Sequence, residues 1–269
     1  MPFVTVDGLR MHYEWHGRGA GTPVVLVMGL GGDATAWGYQ LAALAPAHRC
    51  LVLDNRGAGR TEAPDIPYTI AGMARDLLGL LDALEVPRAH VLGASMGGVI
   101  AQEAATQAPE RIASLQLHCT WAGPDPYFAA VVRSLRMMRL QLGHEGFVRA
   151  FLPWVFTPRC YAERLRFIEQ VVQAAVTAPH PQPLHGYLRQ AEAVLGHDAR
   201  ARLAAIRCPT LVTAGEDDIL TPPRFARELA GLIPGARFEV LPAGHGYFWE
   251  APEPFNAACL RFLDGVSAG

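Results

Sequence analysis

Three observations predict an α/β protein built on a doubly wound, mostly parallel sheet flanked by helices. The 269 residues are 51% hydrophobic and 18% charged, enough apolar chain to bury one large core. Short continuous apolar runs recur along the chain, as expected of strands covered on both faces. Helical patterns separate most of these runs, and alternating strands and helices place a site beyond the carboxyl ends of the strands.

The first two strands, Phe3–Val6 and Met11–Trp15, alternate apolar and polar residues, and Asp7-Gly8 between them is a hairpin-turn pair. Buried-strand runs follow at PVVLVM (23–28), CLVLD (50–54), AHVLG (89–93), LQLHC (115–119), TLVTAG (210–215) and RFEVLP (237–242). Helices are predicted over 71–84, 96–108 and 223–232. From 122 to 197 the rhythm stops, leaving helical patterning with proline, arginine and aromatics. An insertion of that length beyond a strand end predicts a lid. The expected layout is a core domain of residues 1–121 and 198–269 with a helical cap, 122–197, inserted after the sixth strand. TAPHPQPLHG (177–186) reads as a hinge-like loop between cap helices.

Composition removes several function classes. Net charge is −2, which gives no electrostatic case for nucleic acid or an anionic membrane surface. All 23 basic residues are arginine, so Schiff-base, pyridoxal and Walker lysines are excluded. Cys50, Cys119, Cys160, Cys208 and Cys259 are odd in number and scattered, as buried thiols of a reducing compartment. The first residues lack the basic and apolar regions of a secretion signal, and no apolar run reaches membrane-spanning length. The expectation is a cytoplasmic protein, monomer or homodimer, with a small-molecule partner. Neither the ten histidines nor the glycine-rich GRGAG (17–21) stands in a metal- or phosphate-binding pattern, so no metal or cofactor is expected. RSLRMMRL (133–140) puts arginines on one helical face, read as a solvated cap surface or, alternatively, as a site for an anionic substrate group.

Only four serines occur, and one of them, Ser95, lies in GASMGG where an apolar run turns into a helix. Gly93 and Gly97 flank it in the spacing G-x-S-x-G, which lets a strand reverse sharply and expose the hydroxyl. A structural turn with a capping serine fits the same six residues. A hydroxyl nucleophile needs a histidine and a carboxylate to orient it. GEDDILTPP (215–223) carries Asp217 and Asp218 after the seventh strand, and GHG places His245 between glycines after the eighth. The order Ser, Asp, His on loops at one sheet edge is that of the nucleophile-elbow enzymes.

MGLGG (28–32), DNRGAGRT (54–61), GASMGG, GEDDILTPP and GHGYFWEAPEPF (244–255) together resemble the α/β-hydrolase superfamily over nearly the whole chain. The resemblance implies an α/β-hydrolase fold. It implies Ser95, His245 and Asp218 as nucleophile, base and acid, because the family's acid stands three residues after the glycine. It also implies an oxyanion hole from the N–H groups of Leu30 and Met96. Where the family usually has His-Gly, this chain has Met28-Gly29, similar to aclacinomycin methylesterase-like enzymes. The cap is similar to that of 3-oxoadipate enol-lactonases. Met28, Trp121, Trp154, Phe156 and Phe248 are the expected pocket lining. The expected activity is hydrolysis of small to medium apolar esters or lactones. The alternatives are carbon–carbon cleavage of vinylogous diketones on the same fold, and a binding protein on a hydrolase scaffold.

Overall fold

The computed structural model describes residues 2–267. Eight strands form one sheet: β1 (Phe3–Val6), β2 (Leu9–His16), β3 (Val24–Val27), β4 (Cys50–Leu53), β5 (Ala89–Ala94), β6 (Ile112–His118), β7 (Thr210–Gly215) and β8 (Arg237–Leu241). The helices are α1 (Gly38–Leu44), α2 (Ile70–Ala83), α3 (Met96–Gln107), α4 (Pro126–Gln141), α5 (Gly143–Val155), α6 (Pro158–Glu163), α7 (Leu165–Val176), α8 (Leu184–Leu195), α9 (Pro223–Leu232), α10 (Tyr247–Glu250) and α11 (Pro252–Ser267).

The sheet order is β1-β2-β4-β3-β5-β6-β7-β8. β1 and β2 pair antiparallel, as do β2 and β4, while the pairs from β4 to β8 are parallel. Asp7 and Gly8 take positive φ of 47° and 82° at the first hairpin, the geometry that its two residues predict. The continuous apolar runs are explained by burial on both faces. In β3, Val25 and Val27 join a core shared with α2, α3 and α9, whereas Val24 and Leu26 join one shared with α1, α10 and α11.

β6 begins at Ile112, three residues before the run that predicts it. The polar Ser114 hides this start in the sequence. Its hydroxyl is nevertheless buried, 2.8 Å from His90 Nδ1 on β5. Five helices, α4 to α8, lie between β6 and β7. The arginine face of α4 is only partly the solvated surface expected of it. Arg133 is exposed and Arg136 pairs with Glu192 at 3.2 Å, but Arg139 is buried. No helix of the described residues is long and apolar enough to cross a membrane.

His118 is a buried titratable group between β6 and β7. Its Nδ1 lies 2.6 Å from Thr213 Oγ1, and its ring meets Phe255 edge-on at 4.6 Å. Burial pushes its pKa down from 6.5 to about 3. Between those values the unfolded chain binds a proton that the folded chain refuses. The stabilisation is therefore whole above pH 6.5 and is lost as pH falls toward 3. Urea titrations should show the wild type losing about 2 kcal/mol more than His118→Gln between pH 7 and pH 5, at about 1.4 kcal/mol per pH unit below 6.5. Equal losses in the two proteins would contradict this account.

Candidate active site

Ser95 joins β5 to α3 with φ 54° and ψ −119°, a backbone conformation that costs a non-glycine residue about 1–3 kcal/mol. Hydrogen bonds hold it there. Its N–H donates to His118 O at 2.8 Å, and its carbonyl accepts from Gly98 N–H at 2.9 Å and from the Thr120 hydroxyl at 2.8 Å. The flanking glycines permit close backbone approach. A Cβ on Gly93 would collide with the Gly97 carbonyl, and one on Gly97 would collide with the Val27 carbonyl of β3. The Ser95 hydroxyl makes no hydrogen bond to another described residue.

The two aspartates after β7 separate cleanly. Asp217 is exposed, while Asp218 is 3% exposed. Asp218 Oδ1 accepts from the N–H groups of Leu220 and Thr221, both at 2.8 Å. Its Oδ2 lies 2.8 Å from His245 Nδ1 and 2.8 Å from the Thr221 hydroxyl. A carboxylate at Nδ1 assigns the proton to that nitrogen and leaves Nε2 as the lone-pair atom. The histidine loop follows β8 and is tied back to β7: Asp217 N–H donates to Ala243 O at 3.0 Å and Glu216 N–H to Leu241 O at 2.8 Å.

Sequence reasoning missed Thr221. Its hydroxyl lies 2.8 Å from Asp218 Oδ2, 3.1 Å from His245 Nδ1 and 3.0 Å from Cys119 O, so it joins the acid, the imidazole and the end of β6. A hydroxyl three residues after an aspartate is the local signal that could have found it. Through Cys119 and Thr120, Asp218 and Ser95 are anchored to the same segment. Behind them, the Tyr247 hydroxyl lies 2.5 Å from Thr213 Oγ1 and accepts from Cys119 N–H at 3.2 Å.

The loop from Met28 to Ala34 runs beside the serine, and a Cβ on Gly29 would stand 3.0 Å from Ser95 Cβ. Three side chains fix this loop. The Asn55 amide donates to Met28 O at 2.8 Å, Gln190 Oε1 accepts from Gly31 N–H at 3.2 Å, and Asp54 Oδ1 accepts from Ala34 N–H at 2.7 Å. These bonds hold the loop in a chain that has Met28 where the family usually has histidine. Neither Leu30 N–H nor Met96 N–H donates to another described residue, so both are free for an acceptor.

The helices between β6 and β7 attach to each of these loops. Gln190 of α8 holds Gly31 and also donates to Arg56 O at 2.8 Å. The Tyr127 hydroxyl donates to Ile219 O beside the acid. Val155 O accepts from Gly246 N–H at 2.8 Å, and Glu250 accepts from Thr157 N–H at 3.1 Å.

The expected pocket residues are scattered through packed clusters. Trp121 lies against Phe128, ring centroids 4.3 Å apart, and Phe156 meets Phe167 at 5.5 Å. Phe248 lies 4.4 Å from Trp249 and 5.7 Å from Trp37. Met28 is buried in the α1–α11 core, and Trp154 is half-buried against the main core. A groove of about 560 Å³ at Asp218 is lined by Tyr127, Thr157, Arg159, Asp217 and Ile219 among others. No group of three His, Cys, Asp or Glu among the described residues could hold a metal ion.

Residues 22–252 match a family described as the alpha/beta hydrolase fold. The chain is 37% identical over 267 residues to a candidate carbamate hydrolase, RutD, of Azorhizobium caulinodans, covering 99% of both chains. Among solved structures it is similar to the enol-lactonase of Burkholderia xenovorans LB400, with TM-score 0.89 and 32% identity over 98% of this chain and 100% of that one. A hydrolase from Pseudomonas aeruginosa PA01 superposes with TM-score 0.87 at 37% identity over 97% of each chain.

The glycine next to the turn provides a test of this geometry. Gly97→Ala should destabilise the protein by about 3 kcal/mol or more, because its Cβ meets backbone atoms that cannot yield. Gly231→Ala in α9, where a Cβ meets nothing within 4 Å, should be neutral or stabilising by up to about 1 kcal/mol. Urea unfolding of the two variants measures the contrast, and similar stabilities would refute the close approach.

Proposed function

The chain belongs to the α/β-hydrolase family and is a hydrolase, and from that premise we propose a serine hydrolase working through Ser95, His245 and Asp218. The observation that carries this reading is a serine on a strained, glycine-flanked turn, at the same carboxyl edge of the parallel strands as a buried imidazole hydrogen-bonded to a buried carboxylate. Ser95 Oγ attacks an acyl carbonyl while His245 Nε2 takes its proton. Asp218 holds the Nδ1 proton and stabilises the imidazolium. The N–H groups of Leu30 and Met96 receive the oxyanion, His245 returns its proton to the leaving group, and water then cleaves the acyl-enzyme. Helix α3 starts at Met96, so its N-terminal dipole favours the same developing charge.

The substrates are small to medium esters, lactones or carbamates. The likeness to an enol-lactonase supports the first two, and the likeness to a candidate carbamate hydrolase supports the third. All three offer one carbonyl carbon to the same nucleophile. The carbamate nitrogen donates into that carbonyl and lowers its reactivity. Residues 122–197 form the cap over this site, shielding it from bulk solvent while admitting the water that cleaves the acyl-enzyme.

Ser95→Ala should lower nitrophenyl ester turnover by roughly 10³–10⁶-fold with unchanged urea stability or a small gain. A variant retaining near wild-type turnover would remove the serine from the reaction.

The aspartates give an independent check. Asp218→Asn should lower kcat by about 10²–10⁴-fold, and Asp217→Asn, whose side chain is exposed and apart from His245, by less than about threefold. The opposite ranking in folded variants would reassign the acid. A panel of nitrophenyl esters of about two to eight carbons, lactones, carbamates and a vinylogous diketone then ranks the substrate classes.

A further inference from the structure

Leu30, the proposed oxyanion donor, lies in a stretch that cannot hold its own shape. MGLGG (28–32) contains three glycines, and Gly31 takes φ 81°. Glycine backbones rotate at little steric cost, so the direction of the Leu30 N–H must be imposed from outside the loop. The peptides on either side of it are held. Ahead of the donor the Asn55 amide fixes Met28 O at 2.8 Å, and behind it Gln190 Oε1 accepts from Gly31 N–H at 3.2 Å. Asn55 follows β4 in the core, whereas Gln190 belongs to α8, 159 residues from Gly31.

Gln190 is fully buried, and both ends of its carboxamide are used. Nε2 donates to Arg56 O at 2.8 Å, and Oε1 takes a second bond from Gln182 Nε2 at 2.9 Å. Arg56, whose carbonyl it holds, is itself ion-paired with Asp76 of α2. One turn before Gln190, α8 meets the loop after β4 backbone to backbone, and a Cβ on Gly186 would collide with Gly57 O. Gln182 Nε2 also donates to Gly57 O at 2.9 Å, His185 Nε2 donates to Ala63 O at 2.7 Å, and Arg189 pairs with Asp65 at 3.0 Å. The stretch 177–186 is therefore no free hinge: Gln182, His185 and Gly186 seat α8 on the core. A helix mounted in this way presents Gln190 to Gly31 from a fixed position.

We propose that Gln190 is a positioning residue for catalysis: through Gly31 it aims the Leu30 N–H at the oxyanion, so that a helix between β6 and β7 completes the oxyanion hole. This rests on the serine-hydrolase reading above. Such a hole accelerates the reaction because its donors stand in place before charge develops and need no reorganisation at that moment. Without Gln190, water would satisfy the Gly31 N–H but would not fix it. The ground-state carbonyl carries little charge, so the loss falls on the transition state and on kcat more than on binding. A carboxamide also suits the place. It gives direction without net charge, whereas a carboxylate there would repel the oxyanion.

Gln190→Met keeps the length of the side chain and removes its amide. It should lower kcat for a nitrophenyl ester by about 10- to 100-fold while KM changes by less than about threefold. Affinity for butylboronic acid, which forms a tetrahedral anionic adduct with a serine oxygen, should fall by about the same factor as kcat/KM. Gln182→Met breaks bonds of the same kind but leaves Gly31 N–H its acceptor, and its loss in kcat should be smaller by at least about threefold. An unchanged kcat in folded Gln190→Met, a loss confined to KM, an unchanged boronic acid affinity, or an equal loss in Gln182→Met would overturn the proposal. Should Gln190→Met fail to fold, Gln190→Asn replaces it. Its carboxamide is one methylene too short to serve Gly31 N–H and Arg56 O together, and an unchanged kcat there would be equally decisive against the proposal. Turnover that survives Ser95→Ala overturns the serine reading and this proposal with it. Turnover lost in Ser95→Ala beside an intact kcat in Gln190→Met overturns this proposal alone.

Discussion

The close approach of α3 to β3 is the constraint on which the site depends. The helix can begin at the end of β5 only because Gly97 lets its backbone lie against the Val27 carbonyl, and only because Gly93 clears the returning chain. That geometry forces Ser95 into its positive φ, and the bonds to His118, Gly98 and Thr120 offset part of the cost. It also brings the loop after β3 beside the serine. A larger residue at either glycine would move the hydroxyl, the helix N-terminus and the Leu30 loop together. The three features are one packing solution.

Around that turn, the helices of residues 126–195 act less as a separate lobe than as a clamp. Gln190 grips the loop after β3, Tyr127 the loop after β7, and Val155 with Thr157 the loop after β8. Each contact uses a backbone N–H or C=O that a surface loop would otherwise leave to water. The loops after β3, β7 and β8 are therefore held on one side by α4 to α8 and on the other by the sheet.

Much of this was legible in the sequence because chain position and spacing determine it. Runs such as VVLV and CLVL read as strands covered on both sides, and Ser95, Asp218 and His245 each followed a strand end. The aspartate pair was harder. GEDD offers two adjacent carboxylates, and only the turn through Leu220 and Thr221 sends one inward. The aromatics are less legible still. Trp121, Phe156 and Phe248 are bulky and near the right strand ends, yet composition does not say which ring stacks on which, and each lies in a packed cluster. Gln190 and Arg139 carry no local pattern at all, since their partners stand 159 and 43 residues away in the chain. Long-range hydrogen bonds of single polar residues leave no periodicity to read.

The chemistry of the clamp also sets its response to ionic strength. Next to the loop after β3 it consists of two uncharged carboxamides: Gln190, and Gln182, which donates to Gly57 O and to Gln190 Oε1, both at 2.9 Å. Farther out, its rim is ionic, with Arg189 on Asp65 at 3.0 Å and Arg224 on Asp125 at 2.6 Å. Dissolved salt screens the exposed ion pairs, whereas amide hydrogen bonds carry no net charge for counterions to cover. Rising salinity therefore loosens the margin of the helical layer first and leaves its grip beside Ser95 intact, a distribution suited to a catalyst that must keep its geometry across changing electrolyte.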